Sequence, residues 1–156
     1  MPTVQASYTN YMRVAVIGMI ADQLRSMVQS MTVVTTAGIP FGSACFTGSL
    51  PETIDLVGGG GTFVGAAYFD PTRSPLIAVS VTPDRYFLND TANVMLKGTI
   101  YVTPSVDVTH GLQASYVTAT GAWAIHGTGS STDIPNSRWL TDTTVASGQP
   151  AKLQLL

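Results

Sequence analysis

The sequence predicts an all-β fold, a single-domain antiparallel β-barrel or jelly-roll-like sandwich preceded by an extended N-terminal arm. Three observations predict it. Runs rich in β-branched and aromatic residues recur about every 8–12 residues, the spacing of sandwiches and barrels. Most of these runs are closed by Gly, Pro, Asn or Asp, residues that set turns. Only 10% of the 156 residues are charged, against about 25% in an ordinary soluble domain. The mean hydropathy is +0.27, yet no apolar run approaches the ~20 residues of a membrane span. Low charge with many Thr and Val residues points to strands that end up covered by protein–protein contacts. A chain of this size buries a core without disulfide or metal staples, and its single cysteine, Cys45, permits no internal disulfide.

Residues 1–13 form the expected arm. Thr3, Gln5, Ser7, Tyr8, Thr9, Asn10 and Tyr11 are polar or aromatic, show no helical period and precede one cation, Arg13. A dozen extended residues reach about 40 Å. Residues 14–156 form the core domain. Residues 14–17 (VAVI) read as a short buried strand ended by Gly18. The stretch 14–21 imitates the core of a secretion signal, but Asp22 cuts it short and no convincing small-x-small cleavage site follows. The expectation is a chain that is cytoplasmic or assembled from the cytoplasm.

Residues 22–31 satisfy two patterns. Leu24, Met27, Val28 and Met31 fall at i, i+3, i+4 and i+7, one face of a helix that Asp22 would cap. Residues 31–36 (MTVVTT) are strand-like and run on directly. The methionines are core candidates under either reading. Further strands are expected at 43–47, following Pro40 and Gly42, and at 54–57 after a turn at 48–52. Residues 62–69, closed by Asp70-Pro71, and 76–81, closed by Pro83-Asp84, are the next two. The longest signal is 94–103, where Gly98 marks a bulge or bend. Residues 112–118, 121–125 and 151–155 complete the set.

A search for chemistry finds no site. Net charge is −2, and five Arg and two Lys are scattered singly, unlike the basic stripe that nucleic-acid binding requires. Gly58-Gly59-Gly60-Gly61 is a phosphate-loop suspect, but such a loop precedes a helix and usually a Lys-Ser/Thr pair. Here a strand pattern follows and no Lys is near, so a flexible loop is expected. His110 and His126 sit in separate turns without metal-ligand spacing. No Gly-x-Ser-x-Gly elbow occurs, and Gly42-Ser43-Ala44-Cys45 shows neither a base nor a helix N-terminus beside the thiol. Cys45 reads as a small buried hydrophobe. The acidic residues Asp22, Glu52, Asp55, Asp70, Asp84, Asp90, Asp107, Asp133 and Asp142 lie almost all beside Pro, Gly, Asn or Thr, where Asp bonds nearby backbone amides in turns. Glu52 and Asp55 are the only close pair. Tyr8, Tyr11, Tyr101, Tyr116, Trp123 and Trp139 are better suited to interface or core than to a sugar platform. Tyr101 is expected to face away from Ile100 and Val102.

Specific words then stand in a specific order. Tyr8 is followed by Gly18-Met19-Ile20-Ala21-Asp22, then Ile39-Pro40-Phe41-Gly42, then Phe63-Val64-Gly65 with Asp70-Pro71-Thr72. Lys97-Gly98-Thr99-Ile100-Tyr101-Val102 comes next, followed by Ile134-Pro135-Asn136-Ser137-Arg138-Trp139-Leu140-Thr141 and the closing strand 151–155. The series resembles the landmarks of the tailed-bacteriophage capsid cement, or decoration, protein family and covers nearly the whole chain. Two words depart from the family. His110-Gly111-Leu112-Gln113 stands where a Gly-Asp turn is usual, and Asn136-Ser137 replaces Gly-Ala.

The resemblance implies a β-rich subunit on the outer capsid surface of a virion, made in the host cytoplasm. It implies a homodimer or homotrimer that bridges neighbouring major capsid proteins, with no catalysis and no cofactor, and an extended conformation over residues 22–31. Neither direct nucleic-acid binding nor membrane insertion is expected. On this reading Tyr8, Tyr11 and Arg13 in the arm are the first interface candidates. Arg138 and Trp139 are the second, as an Arg–aromatic pair, with a core Trp beside a solvated Arg equally compatible. A virion carbohydrate- or host-surface-binding module is the alternative, and a small β-barrel enzyme ranks last.

Overall fold

A computed structural model of the protein describes residues 16–56, 61–70 and 85–156. The expected arm at 1–13 and the strand expected at 76–81 lie outside these. The fold is all-β. The described residues form twelve strands: β1 (Ile20–Val33), β2 (Ile39–Pro40), β3 (Ala44–Thr47), β4 (Thr53–Asp55), β5 (Phe63–Ala67), β6 (Arg85–Tyr86), β7 (Thr91–Val102), β8 (Ala114–Val117), β9 (Trp123–Ile125), β10 (Ser131–Asp133), β11 (Ser137–Trp139) and β12 (Ala151–Leu155). A single 3-10 turn, Val145–Ser147, is the helical element among them.

Five strands close on themselves. β1 pairs with β7, β7 with β5, β5 with β3, β3 with β4, and β4 returns to the end of β1. Closure removes the edges that an open sheet would expose. The ring departs from the expected antiparallel barrel at one seam, where β1 and β4 run parallel (Thr32↔Thr53, Val33↔Ile54). The reason is parity, because a closed ring with an odd number of strands must contain at least one parallel pair. Beyond the ring, β12 pairs with the second half of β7 and β11 pairs with β12. β8, β9 and β10 form a three-stranded sheet, and β2 and β6 a two-stranded one.

Period-2 alternation sends successive side chains to opposite faces, and here both faces are buried. Ala44 and Phe46 of β3 and Ala66 of β5 join a core with Trp123, Trp139 and Leu153. Cys45 and Ala67, one residue along, join a second core with Val33, Ile39, Phe41, Ile54 and Tyr86. On β7, Ala92 and Val94 belong to the second core and Met95 to the first. Ile100 and Val102 then also belong to the first, although their numbering parity is that of Val94. The switch occurs around Gly98, whose φ is +129°, where the β1–β7 register shifts on either side of Met27↔Lys97. The expected bulge is present, and it exchanges the two faces of the strand.

Residues 22–31, which fit both a helical and a strand pattern, are strand throughout, as the resemblance implies, because the residues from Met27 to Thr32 pair with β7 from Lys97 back to Thr91. Two other expectations are corrected. Of the methionines placed in the core, Met31 is half-buried and packs against the second core, whereas Met27 is 56% exposed, beside an exposed Val28. Of the strand expected at 14–17, residues 14 and 15 lie outside the described residues and Val16 and Ile17 are not strand, so that β1 begins after Gly18, at Ile20. Ile17 is exposed in a turn held by Gly18 N–H donating to Tyr101 O (2.7 Å) and Phe69 N–H donating to Gly18 O (2.8 Å).

A Cβ at Gly98 would stand 3.1 Å from both Ser26 Cα and Met95 Sδ. Gly98→Ala is expected to lower stability by about 1–3 kcal/mol through backbone strain and crowding. Gly127→Ala, at φ +83° with nothing within 4 Å of its Cβ, should cost less. Urea unfolding of both variants checks the difference, and equal losses would show that the Gly98 contacts do not matter.

Candidate interaction surface

The outward face of β1, β7, β12 and β11 follows from the rows behind it. Strand register aligns Ile20, Ile100, Leu153 and Trp139 across four strands, and this row packs into the first core. The adjacent row is Asp22, Thr99, Gln154 and Arg138. On β7, β12 and β11 it faces the other way by strand alternation, and on β1 a register shift between Ile20 and Asp22 brings Asp22 into line. The row forms the base of a cleft of ≈ 550 Å³ lined also by Lys97, Gly98, Leu155 and Leu156. Arg138 Nε donates to Gln154 Oε1 at 2.7 Å. One row further, Tyr101 lies opposite Lys152, whose ammonium sits 5.6 Å from the ring centroid. Tyr101 is half-buried while Ile100 and Val102 are fully buried, as their alternation predicts.

Arg138 and Trp139 part ways. Arg138 is exposed beside the cleft. Trp139 is 0% exposed, and its indole Nε1 donates to Ala124 O at 3.3 Å. It offers no surface in this chain and serves the core. Tyr8, Tyr11 and Arg13 lie outside the described residues. The cleft partners of Arg138 were not singled out from sequence, because Lys97 and Gln154 come from other strands. The alternation in AKLQL, which puts Lys152 and Gln154 on one face, was the available signal.

The remaining candidates have structural partners. Trp123 is buried, donates Nε1–H to Gly42 O at 2.6 Å, and meets Phe63 edge-on at 6.0 Å. Tyr116 stacks on Phe63 at 5.9 Å and meets Phe46 edge-on at 4.8 Å. These rings are core, not a flat sugar platform. Asp55 and Asp90 accept from nearby amides, Leu56 N–H and Phe87 N–H, as expected of turn residues, whereas Asp107 and Asp142 accept from Val145 N–H and His110 N–H, distant in sequence. His110 and His126 are exposed, and His126 Nδ1 approaches Asp133 Oδ2 to 2.6 Å. Among the described residues, no group of three or more His, Cys, Asp or Glu side chains is placed to hold a metal. The Gly58-Gly59-Gly60-Gly61 run leads into β5 and not into a helix. Cys45 is fully buried, and burial pushes its thiol up to about 12.

The described residues form an all-β fold with an outward-facing cleft. The structural cement protein family (E217 gp24/Pam3 gp6) matches residues 4–156. The chain belongs to this phage cement protein family. Cement proteins of this kind are structural parts of a phage capsid and not enzymes. The fold has a counterpart in a solved structure, "The capsid of Myoviridae Phage XM1", with a TM-score of 0.72 over 99% of this chain and 98% of that one. Their 13% identity makes this a likeness of fold. No curated protein matches the cement protein in sequence.

Three measurements check the assignments of core and surface. Trp139→Ala should cost about 3–5 kcal/mol, as for a large buried aromatic, and Arg138→Ala within about 0.5 kcal/mol, both read by denaturant unfolding. The Cys45 thiol should resist thiol reagents in the folded chain and react once unfolded. Its folded value lies above its ordinary 9.0, so the folded state holds a proton that the unfolded state releases. Its contribution is therefore fully present below pH 9 and is lost as pH rises towards about 12. A Cys45→Ala variant should lack that slope in pH-dependent unfolding.

Proposed function

We propose that the cement protein binds the outer surface of a phage capsid and bridges neighbouring major capsid proteins, stabilising the shell. The family match over nearly the whole chain carries this reading. The chemistry of the chain supports it. Met27 and Val28 are consecutive on β1 and both exposed, an apolar stretch that suits burial in an assembly.

The mechanism is summed weak contact. Each subunit touches two or more shell proteins, and linking the contacts raises avidity by ~10²–10⁴ without a new kind of interaction. Residues 1–13 act as an extended arm that adds along a strand edge of a neighbour through backbone hydrogen bonds. Tyr8, Tyr11 and Arg13 are its contact residues, and Arg138 contributes from the cleft. Self-association into a dimer or trimer multiplies the points of attachment. The subunit is made in the host cytoplasm and joins the virion from there.

The test uses phage capsids prepared without the cement protein. Adding the purified chain should give saturable binding and raise the temperature at which the shells disrupt. Removing residues 1–13 should weaken binding by about tenfold or more, the scale on which losing one linked contact acts. Unchanged binding by the shortened chain would dismiss the arm, and absence of binding by the full chain would dismiss the bridging role.

A further inference from the structure

Lys97 and Arg138 are the cations of the cleft, and among the described residues neither forms an ion pair. Arg138 is anchored at one point, its Nε, by Gln154 Oε1. That single bond orients the planar guanidinium and leaves the N–H groups of both terminal nitrogens without an acceptor among the described residues. Gln154 is itself held between Thr99 and Arg138 by strand register. The carboxylate of Asp22 borders the cleft and has a partner of its own.

We propose that this cleft receives an acidic side chain of the neighbouring capsid protein. Arg138 grips the carboxylate end-on through its two Nη groups, and the Lys97 ammonium completes its neutralisation. The inference deepens the capsid-binding reading and rests on it. Charge complementarity specifies the occupant, since an oriented fork and a free ammonium fit a carboxylate and little else that a protein surface offers. Of a second copy's exposed carboxylates, Asp107, Asp133 and Asp142 are already committed to Val145 N–H, His126 and His110 N–H, which leaves Glu52, and the oligomeric state separates that case.

The experiment measures binding to cement-free capsids at low and high salt for the full chain, the Lys97→Gln/Arg138→Gln double variant and Lys152→Gln. The full chain should weaken as salt rises. The double variant should bind about tenfold or more weakly at low salt, as when both positive partners of a paired carboxylate are lost, and its salt dependence should be flatter. Lys152→Gln, which lies outside the cleft, should bind as the full chain does. Thermal unfolding should be unchanged in all three, since the substituted side chains are at the surface.

If the double variant binds with the affinity and salt slope of the full chain, the inference is wrong while capsid binding stands. If the full chain itself does not bind, the underlying reading fails and takes the inference with it. Native mass measurement separates the remaining case. A double variant that loses binding by falling from oligomer to monomer would assign the cleft to a second copy and overturn the proposal.

Discussion

The pairing of β7 on both of its edges is the constraint on which the rest of the molecule depends. One edge carries β1. The other is shared, with β5 at Val94 and Met95 and β12 from Gly98 to Val102. The change of partner falls at the bulge. Without the inserted residue, Ile100 and Val102 would point to the side of Val94, away from the core they now fill. β12 takes its register from those residues, and β11 takes its own from β12. One glycine in an unusual conformation therefore decides which side chains of three strands are inside.

Core and outer face are two consequences of that register. The pairing that buries Leu153 and Trp139 obliges Gln154 and Arg138 to face out, next to Thr99 and Lys97. The row beneath that surface is packed into the first core. Phe46, Phe63, Tyr116 and Trp123 pack edge-on or stacked elsewhere in the same core. Each such pair contributes about 0.5–1.5 kcal/mol beyond its burial. A contact protein has no chemistry to position, but it does need side chains held still, so that little ordering is lost when a partner arrives.

Low charge fits the same role. With 10% charged residues, hydroxyl and amide groups make up much of the polar surface, and exposed apolar groups such as Met27, Leu50 and Phe87 are not screened by dense charge. Such a surface suits many modest contacts made at once. Family membership across residues 4–156 gives the chain a structural role in a phage capsid.

Much of this was legible in the sequence, and the parts that were not share a cause. The turn residues and β-branched runs determined the all-β class, the approximate strand positions and the buried state of Cys45, because these depend on local chain geometry and on the chemistry of single residues. Alternation alone set Tyr101 against Ile100 and Val102. The order of motifs along the chain resembles that of the cement family, a signal that needs no fold. Residues 22–31 satisfied a helical and an extended pattern equally, and only β7, distant in sequence, selected strand. Trp139 and Arg138 were adjacent letters with one shared expectation, and the register of β11 on β12 sent them to opposite faces. The parallel seam and the cleft around Arg138 were not readable at all. Both arise from which strands become neighbours, and that is settled when non-local hydrogen bonds close the ring.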